Sequence, residues 1–225
     1  MVTDLTHQAL KARQRKERDT HSPSVALRVH RALSWLGRAE QEADDPDARF
    51  TFLWIAFNAA YATESYEESP TESQAFRSFL EKLLELDRKG RIAYVVWDEF
   101  TGSIRELLRN PYVFADFWRH LNGQLSEDEW RRRFDGSRFA ANRAISQHDT
   151  VSVLGIVFAR LYVLRNQLIH GGATWNGRVN RDQVRDCTKL MSKLVPVIIE
   201  IMLDYPDYEW GPATYPVVEE GAGGA

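Results

Sequence analysis

Residues Thr150 to His170 read TVSVLGIVFARLYVLRNQLIH. Between Val151 and Leu164 only Ser152 and Arg160 are clearly polar, so a helix over this stretch is apolar around most of its circumference. Such a helix belongs in the middle of a bundle, because any exposed side would leave apolar surface in water. Its polar residues gather at the C-terminal end, as Arg165, Asn166, Gln167 and His170. Gly171-Gly172 follows and supplies the left-handed stop that helices favour. The stretch therefore predicts a long buried helix with a polar C-terminal end.

The flanking sequence repeats the helical signal. Val25, Val29, Ala32, Leu33 and Leu36 form one stripe, and Phe50, Leu53, Trp54, Phe57 and Tyr61 form a second. Phe76, Phe79, Leu80, Leu83 and Leu84 mark a third helix, and Ile92 to Leu108 a further helix or pair. Val184, Cys187, Met191, Leu194, Val195 and Ile198 mark the last, with Pro196 expected to bend it. The Thr150 helix is thus the penultimate one. Ser22-Pro23, Asp45-Pro46, Ser69-Pro70 and Asn110-Pro111 each set a capping side chain before a proline suited to the first helical position. Ser69 with Glu72, Ser126 with Glu129, and Asn180 with Gln183 have capping-box spacing. Asn176-Gly177 marks a turn before the last helix. No run alternates apolar and polar residues over strand length, so the fold class is all-α. The expected organisation is a polar N-terminal helix or arm over 1–22, a helical domain over 23–204 and an irregular tail over 205–225.

Composition narrows the function. An apolar content of 44% over 225 residues is enough for a substantial core, and 12% aromatic residues argue against disorder. The net charge of -3 gives no global basic field, so any nucleic-acid contact must be a local patch. Cys187 is the single cysteine, which excludes an intrachain disulfide and a cysteine-based zinc site. The histidines lack spacing of the His-Glu-x-x-His type, and no glycine-rich phosphate loop occurs, so no metal or cofactor is expected. Phe52–Ala62 and Val151–Leu164 are too short, or interrupted by Arg160, to span about 30 Å of hydrocarbon, and a cytoplasmic protein without a membrane partner is the expectation.

The polar helix end could carry chemistry. Arg165 continues the stripe of Leu154, Phe158 and Leu161, while Asn166 and His170 share the neighbouring stripe with Ala159 and Val163. Three polar groups emerge together beside apolar surroundings, a position expected to desolvate them in part and to strengthen their electrostatics. The bland alternative is that Asn, Arg and His near a helix-ending Gly serve only the terminal carbonyls.

The run Arg165-Asn166-Gln167-Leu168-Ile169-His170 resembles the Arg, polar residue, three residues, His motif of the HEPN superfamily. Tyr162-Val163-Leu164 before it and Gly171-Gly172-Ala173-Thr174-Trp175 after it are similar to bacterial HEPN proteins of the Apea-like kind. Phe52 to Tyr61, with Asn58 among aromatics, resembles an earlier helix of that group. The resemblance covers about Pro23 to Leu203. It implies a HEPN-type bundle that homodimerises and joins two motifs in one RNA-cleaving cleft. It further implies a metal-independent endoribonuclease, acting as a toxin or defence effector, with an antitoxin or partner protein. Arg165 would hold the scissile phosphate, His170 would move a proton, and Asn166 would orient His170 or bind phosphate. The alternative is a non-catalytic HEPN module that binds nucleotide or protein. Some members carry a nucleotidylated Tyr two residues after the motif His; Gly172 stands there, so that regulation is not implied.

Further candidates lie outside the motif. Arg131, Arg132, Arg133 and Arg138, with Arg143, could guide RNA, although Glu127, Asp128, Glu129 and Asp135 offset much of that charge. Asn58 is read either as an internally bonded amide or as a residue supporting the motif. The basic run Lys11 to Arg18 is an RNA-contacting arm or simply a soluble helix.

Overall fold

A computed structural model describes residues 5–61, 72–178 and 180–215, with the side chains of 72–75 outside that set. The described residues form ten α-helices and no strand, which establishes an all-α bundle. In chain order they are α1 (His7–Glu17), α2 (Pro23–Gln41), α3 (Pro46–Tyr61), α4 (Glu72–Leu86), α5 (Arg91–Tyr94) and α6 (Thr101–Arg109). α7 (Ala115–Leu121), α8 (Glu127–Ser146), α9 (Thr150–Ile169) and α10 (Arg181–Asp204) complete the set.

Most of the start signals act as their chemistry suggests. Ser22 Oγ accepts from Val25 N–H at α2, and Ser126 Oγ accepts from Glu129 N–H at α8. Asp45 accepts from the N–H groups of Asp47 and Ala48, each at 3.0 Å, and so caps α3. Asn110 caps only a 3₁₀ turn, Pro111–Val113. The Ser69-Pro70 signal lies outside the described residues. Asn180 departs from its expected box: its backbone is left-handed, its side chain caps nothing, and its Nδ2 donates to Gln167 Oε1 of α9 instead. The Ile92–Leu108 stretch is a pair, α5 and α6, joined by a π-helical turn over Val95–Glu99. α10 continues through Pro196, which cannot donate the helical hydrogen bond at that point.

The core forms where α2, α3, α4, α9 and α10 meet. Its centre is aromatic: Phe57 stacks on Phe158 at 4.6 Å between ring centroids and Tyr61 on Phe76 at 4.5 Å, with Trp54 against Tyr162 at 6.2 Å. The ends of the chain join this body. α1 packs on α2 and α10, buries Leu10, and holds Asp204 through Arg13 at 2.6 Å. Of the tail, residues 205–215 are described; Trp210 is buried in the core and the carbonyl of Thr214 accepts from Arg31 at 2.7 Å.

The expected centre of the bundle is corrected. α9 buries Val153, Leu154, Val157, Phe158, Leu161 and Leu164 against α3, α4, α6 and α8. On its other side Gly155, Ile156 and Val163 are half-buried and Ala159 is exposed. The helix buried on every side is the C-terminal half of α10, where each residue from Leu194 to Leu203 is buried. Periodicity could not make this distinction, because apolar residues look alike whether or not something covers them. By length and hydropathy, α9 is also the one helix among the described residues long enough to cross a membrane, since it runs six residues beyond the apolar count at Val151–Leu164.

Candidate functional site

The motif closes α9. Its last helical hydrogen bonds run from His170 N–H to Asn166 O and from Ala173 N–H to Gln167 O, each 3.0 Å. Gly171 between them has φ +71°, a conformation that a side chain would strain, so the chain turns sharply there. His170 therefore stands at the cap, not within a packed turn, and it is exposed. The ring is open to solvent among the described residues, not partly desolvated as expected. Its ring makes no hydrogen bond among the described residues.

Arg165 and Asn166 are half-buried one turn earlier. Arg165 Nη1 donates to Asn166 Oδ1 at 2.9 Å, its guanidinium lies 5.9 Å from the centroid of Tyr162, and its Nε is buried without a partner. Asn166 thus orients the arginine; no hydrogen bond joins it to His170 among the described residues. The helical register still sets Asn166 and His170 on one face with Val163 and Ala159, and that face is the uncovered one.

The loop after the motif is fixed by the start of α3, where Asp45 was read only as a helix start. Trp175 Nε1 donates to Asp45 Oδ2 at 2.8 Å, and Asn176 N–H donates to Asp47 Oδ2 at 2.9 Å. Asp47 Oδ2 also meets Arg181 at 2.8 Å. Burial would raise the Asp45 carboxyl, but the Ala48, Trp175 and Asp47 N–H groups outweigh it and hold the pKa below the usual aspartate range. The Asn176-Gly177 turn forms as expected, and a Cβ on Gly177 would lie 2.6 Å from Thr174 Oγ1. Gln167 links α9 outward, donating to Tyr112 O at 2.6 Å.

Asn58 is not beside the motif. Trp54 meets Tyr162 and Phe57 meets Phe158, so α3 and α9 run antiparallel. That order sets half-buried Asn58 about two helical turns from Arg165, at the level of Phe158. Pairing direction is what one sequence does not reveal.

The α8 arginines are separated by their partners. Arg131 pairs with Glu127, Arg133 with Glu129 and Asp116, and Arg138 with Asp135, all exposed arginines on a solvated face. Arg132 is exposed and makes no ion pair among the described residues. Arg143 is likewise exposed, and it lines a groove between α8 and α9. The residue that sequence reading passed over is Arg160, treated only as an interruption of the apolar run. It is 3% exposed and lines the same groove. The available signal was a single cation inside an otherwise apolar helix. The chain matches no family model, no curated protein and no solved structure.

Proposed function

We propose that this chain is a HEPN-type, metal-independent endoribonuclease. The observation that carries the reading is the exposed imidazole of His170 at the end of the uncovered face of α9, one turn from the Arg165–Asn166 pair. Arg165 binds the scissile phosphate with a planar, charged fork and stabilises the charge that develops on it. The ribose 2′-hydroxyl is already beside the phosphorus, so attack needs orientation and a proton acceptor more than an activated water. The 2′-oxygen bonds to phosphorus, the bond from phosphorus to the 5′-oxygen breaks, and the products are a 2′,3′-cyclic phosphate and a 5′-hydroxyl. His170 moves a proton, removing it from the 2′-hydroxyl or delivering it to the 5′-oxygen, since an imidazole nitrogen can accept or donate. Two copies joined as a dimer bring two His170 rings to one cleft and supply both roles. A growth-limiting toxin or defence effector, restrained by an antitoxin or partner protein, fits such an activity.

The direct test is cleavage of mixed RNA in EDTA by the parent, His170→Ala and Arg165→Ala, with helicity and melting checked for each. Loss of His170 should lower the rate by about 10²–10⁴-fold without unfolding the chain. A folded His170→Ala chain that cuts as fast as the parent contradicts the reading. A folded parent that cuts no RNA favours a non-catalytic module.

A further inference from the structure

Arg160 is a buried cation that makes no ion pair among the described residues. Its Nη2 donates to Ser137 Oγ at 2.9 Å, and its Nε is buried with no partner. The guanidinium carbon lies 4.3 Å from the centroid of Phe114 and 5.6 Å from that of Phe134. Asp116, whose charge acts on it, is paired with Arg119 and Arg133. Burial lowers the Arg160 pKa to about 10, which leaves it charged at neutral pH. A buried charge with no ion-pair partner of its own among the described residues is costly to keep, and it lines a groove of about 700 Å³ between α8 and α9.

The groove has further features of an anion track. Arg143 lines it, exposed and without an ion pair among the described residues, and Phe139 one turn earlier on α8 is 72% exposed. Asp149, the acid on its wall, is taken up by Ser152, whose N–H and hydroxyl donate to it at 3.0 and 2.6 Å. The α9 side of the groove is the face of Ile156, Ala159 and Val163. That face continues to Asn166 and His170, about 15 Å along the axis from Arg160.

We propose that this groove binds a single-stranded RNA segment, with Arg160 and Arg143 on a backbone phosphate and Phe139 against a base, and leads the strand to His170. The proposal rests on the ribonuclease reading and names how its substrate is held. A guanidinium fork matches phosphate oxygens, and an exposed aromatic ring accepts any base face, so the contact is independent of base sequence. Charge separates this occupant from a second copy of the chain. Two-fold packing through this face would set Arg143 and Arg160 of one copy against a surface of the same sign, whereas a polyanion supplies the missing counter-charge.

The test measures binding of a fluorescein-labelled 2′-O-methyl oligoribonucleotide, which lacks the attacking hydroxyl, to the full chain across a salt series. Parent, Arg160→Met, Arg143→Gln and Phe139→Ala are compared, with Arg105→Gln on α6 as a charge control. Arg160→Met and Arg143→Gln should each weaken binding at least fivefold and lower the salt slope by about 0.7, one single-strand phosphate contact. Phe139→Ala should weaken binding about fivefold or more with the slope unchanged. Arg143 and Phe139 are exposed, so their variants keep the test open even where Arg160→Met folds poorly. Groove variants that bind and cut like the parent, while cleavage still depends on His170, overturn the groove and leave the ribonuclease reading standing. A parent that neither binds nor cuts overturns both. Unchanged binding with a changed oligomeric state on sedimentation of Arg160→Met assigns the groove to a second copy and overturns the proposal.

Discussion

The C-terminal half of α10 and the Val151–Leu164 run of α9 are both strongly apolar, and each contains one charged residue. They differ in what surrounds them. From Leu194 to Leu203 α10 is covered on every side, and its charge, Glu200, meets Arg91 and Lys89. α9 is fully buried along one side and half-buried along much of the other, and its charge, Arg160, makes no ion pair among the described residues. The first helix is arranged for stability, with its charge neutralised inside the fold. The second leaves both an apolar face and a cation unsatisfied, and the same face ends at the exposed His170.

Removing the two charges should therefore act in opposite directions. Glu200→Ala leaves half-buried Arg91 without its acid and should cost about 3 kcal/mol in denaturant unfolding, the scale of a broken buried pair. A loss under about 1 kcal/mol would mean that the α10 charge is as unsupported as the α9 one. Truncation of the apolar faces is the next sharpest contrast. Ile199→Ala, at a fully buried position of α10, should cost about 2–4 kcal/mol, whereas Ile156→Ala on the half-open side of α9 should cost under about 1.5 kcal/mol. Equal costs would show that something covers α9 in solution. Arg160→Met should leave stability unchanged or raise it by about 1 kcal/mol, because a flexible apolar chain replaces an unpaired buried cation. Marked destabilisation would place its worth in packing within the fold.

The smallest effect is a pH response at the motif loop. The Asp45 carboxyl is held below its usual range, so its clasp on Trp175 is complete above the ordinary aspartate pKa of about 3.9 and is lost as pH falls through the depressed folded value. Tryptophan emission that differs between the parent and Trp175→Phe should change only below about pH 3.9, and Asp45→Asn should abolish that step. A step near neutral pH would assign the loop to another group.

Much of this was legible in the sequence, and the failures share a cause. Helix starts at Ser22, Asp45 and Ser126, the stop at Gly171 and the turn at Asn176-Gly177 rest on local chemistry, which one chain carries in full. The register that sets Asn166 and His170 on one stripe with Val163 and Ala159 was legible for the same reason. Three further features depend on which element lies opposite: the open side of α9, the level of Asn58 and the role of Arg160. An apolar stripe is the same string of letters whether a helix, another molecule or water faces it. The charges of α10 are met across the fold, Glu200 by Arg91 of α5 and by Lys89, and Lys193 by Glu99, pairings that depend equally on what lies opposite. Asn180 had the spacing of a cap, yet its left-handed backbone turned its amide to Gln167.

The central claim is that the end of α9 cuts RNA through the substrate's own 2′-hydroxyl. The most direct measurement uses a mapped cleavage site and two oligonucleotides that differ only by deoxyribose at the position 5′ to the scissile phosphate, both incubated with the parent chain in EDTA. The account predicts that the all-ribose strand yields a 2′,3′-cyclic phosphate and a 5′-hydroxyl while the deoxy-substituted strand resists cleavage at that bond. Equal cleavage of both strands would contradict it.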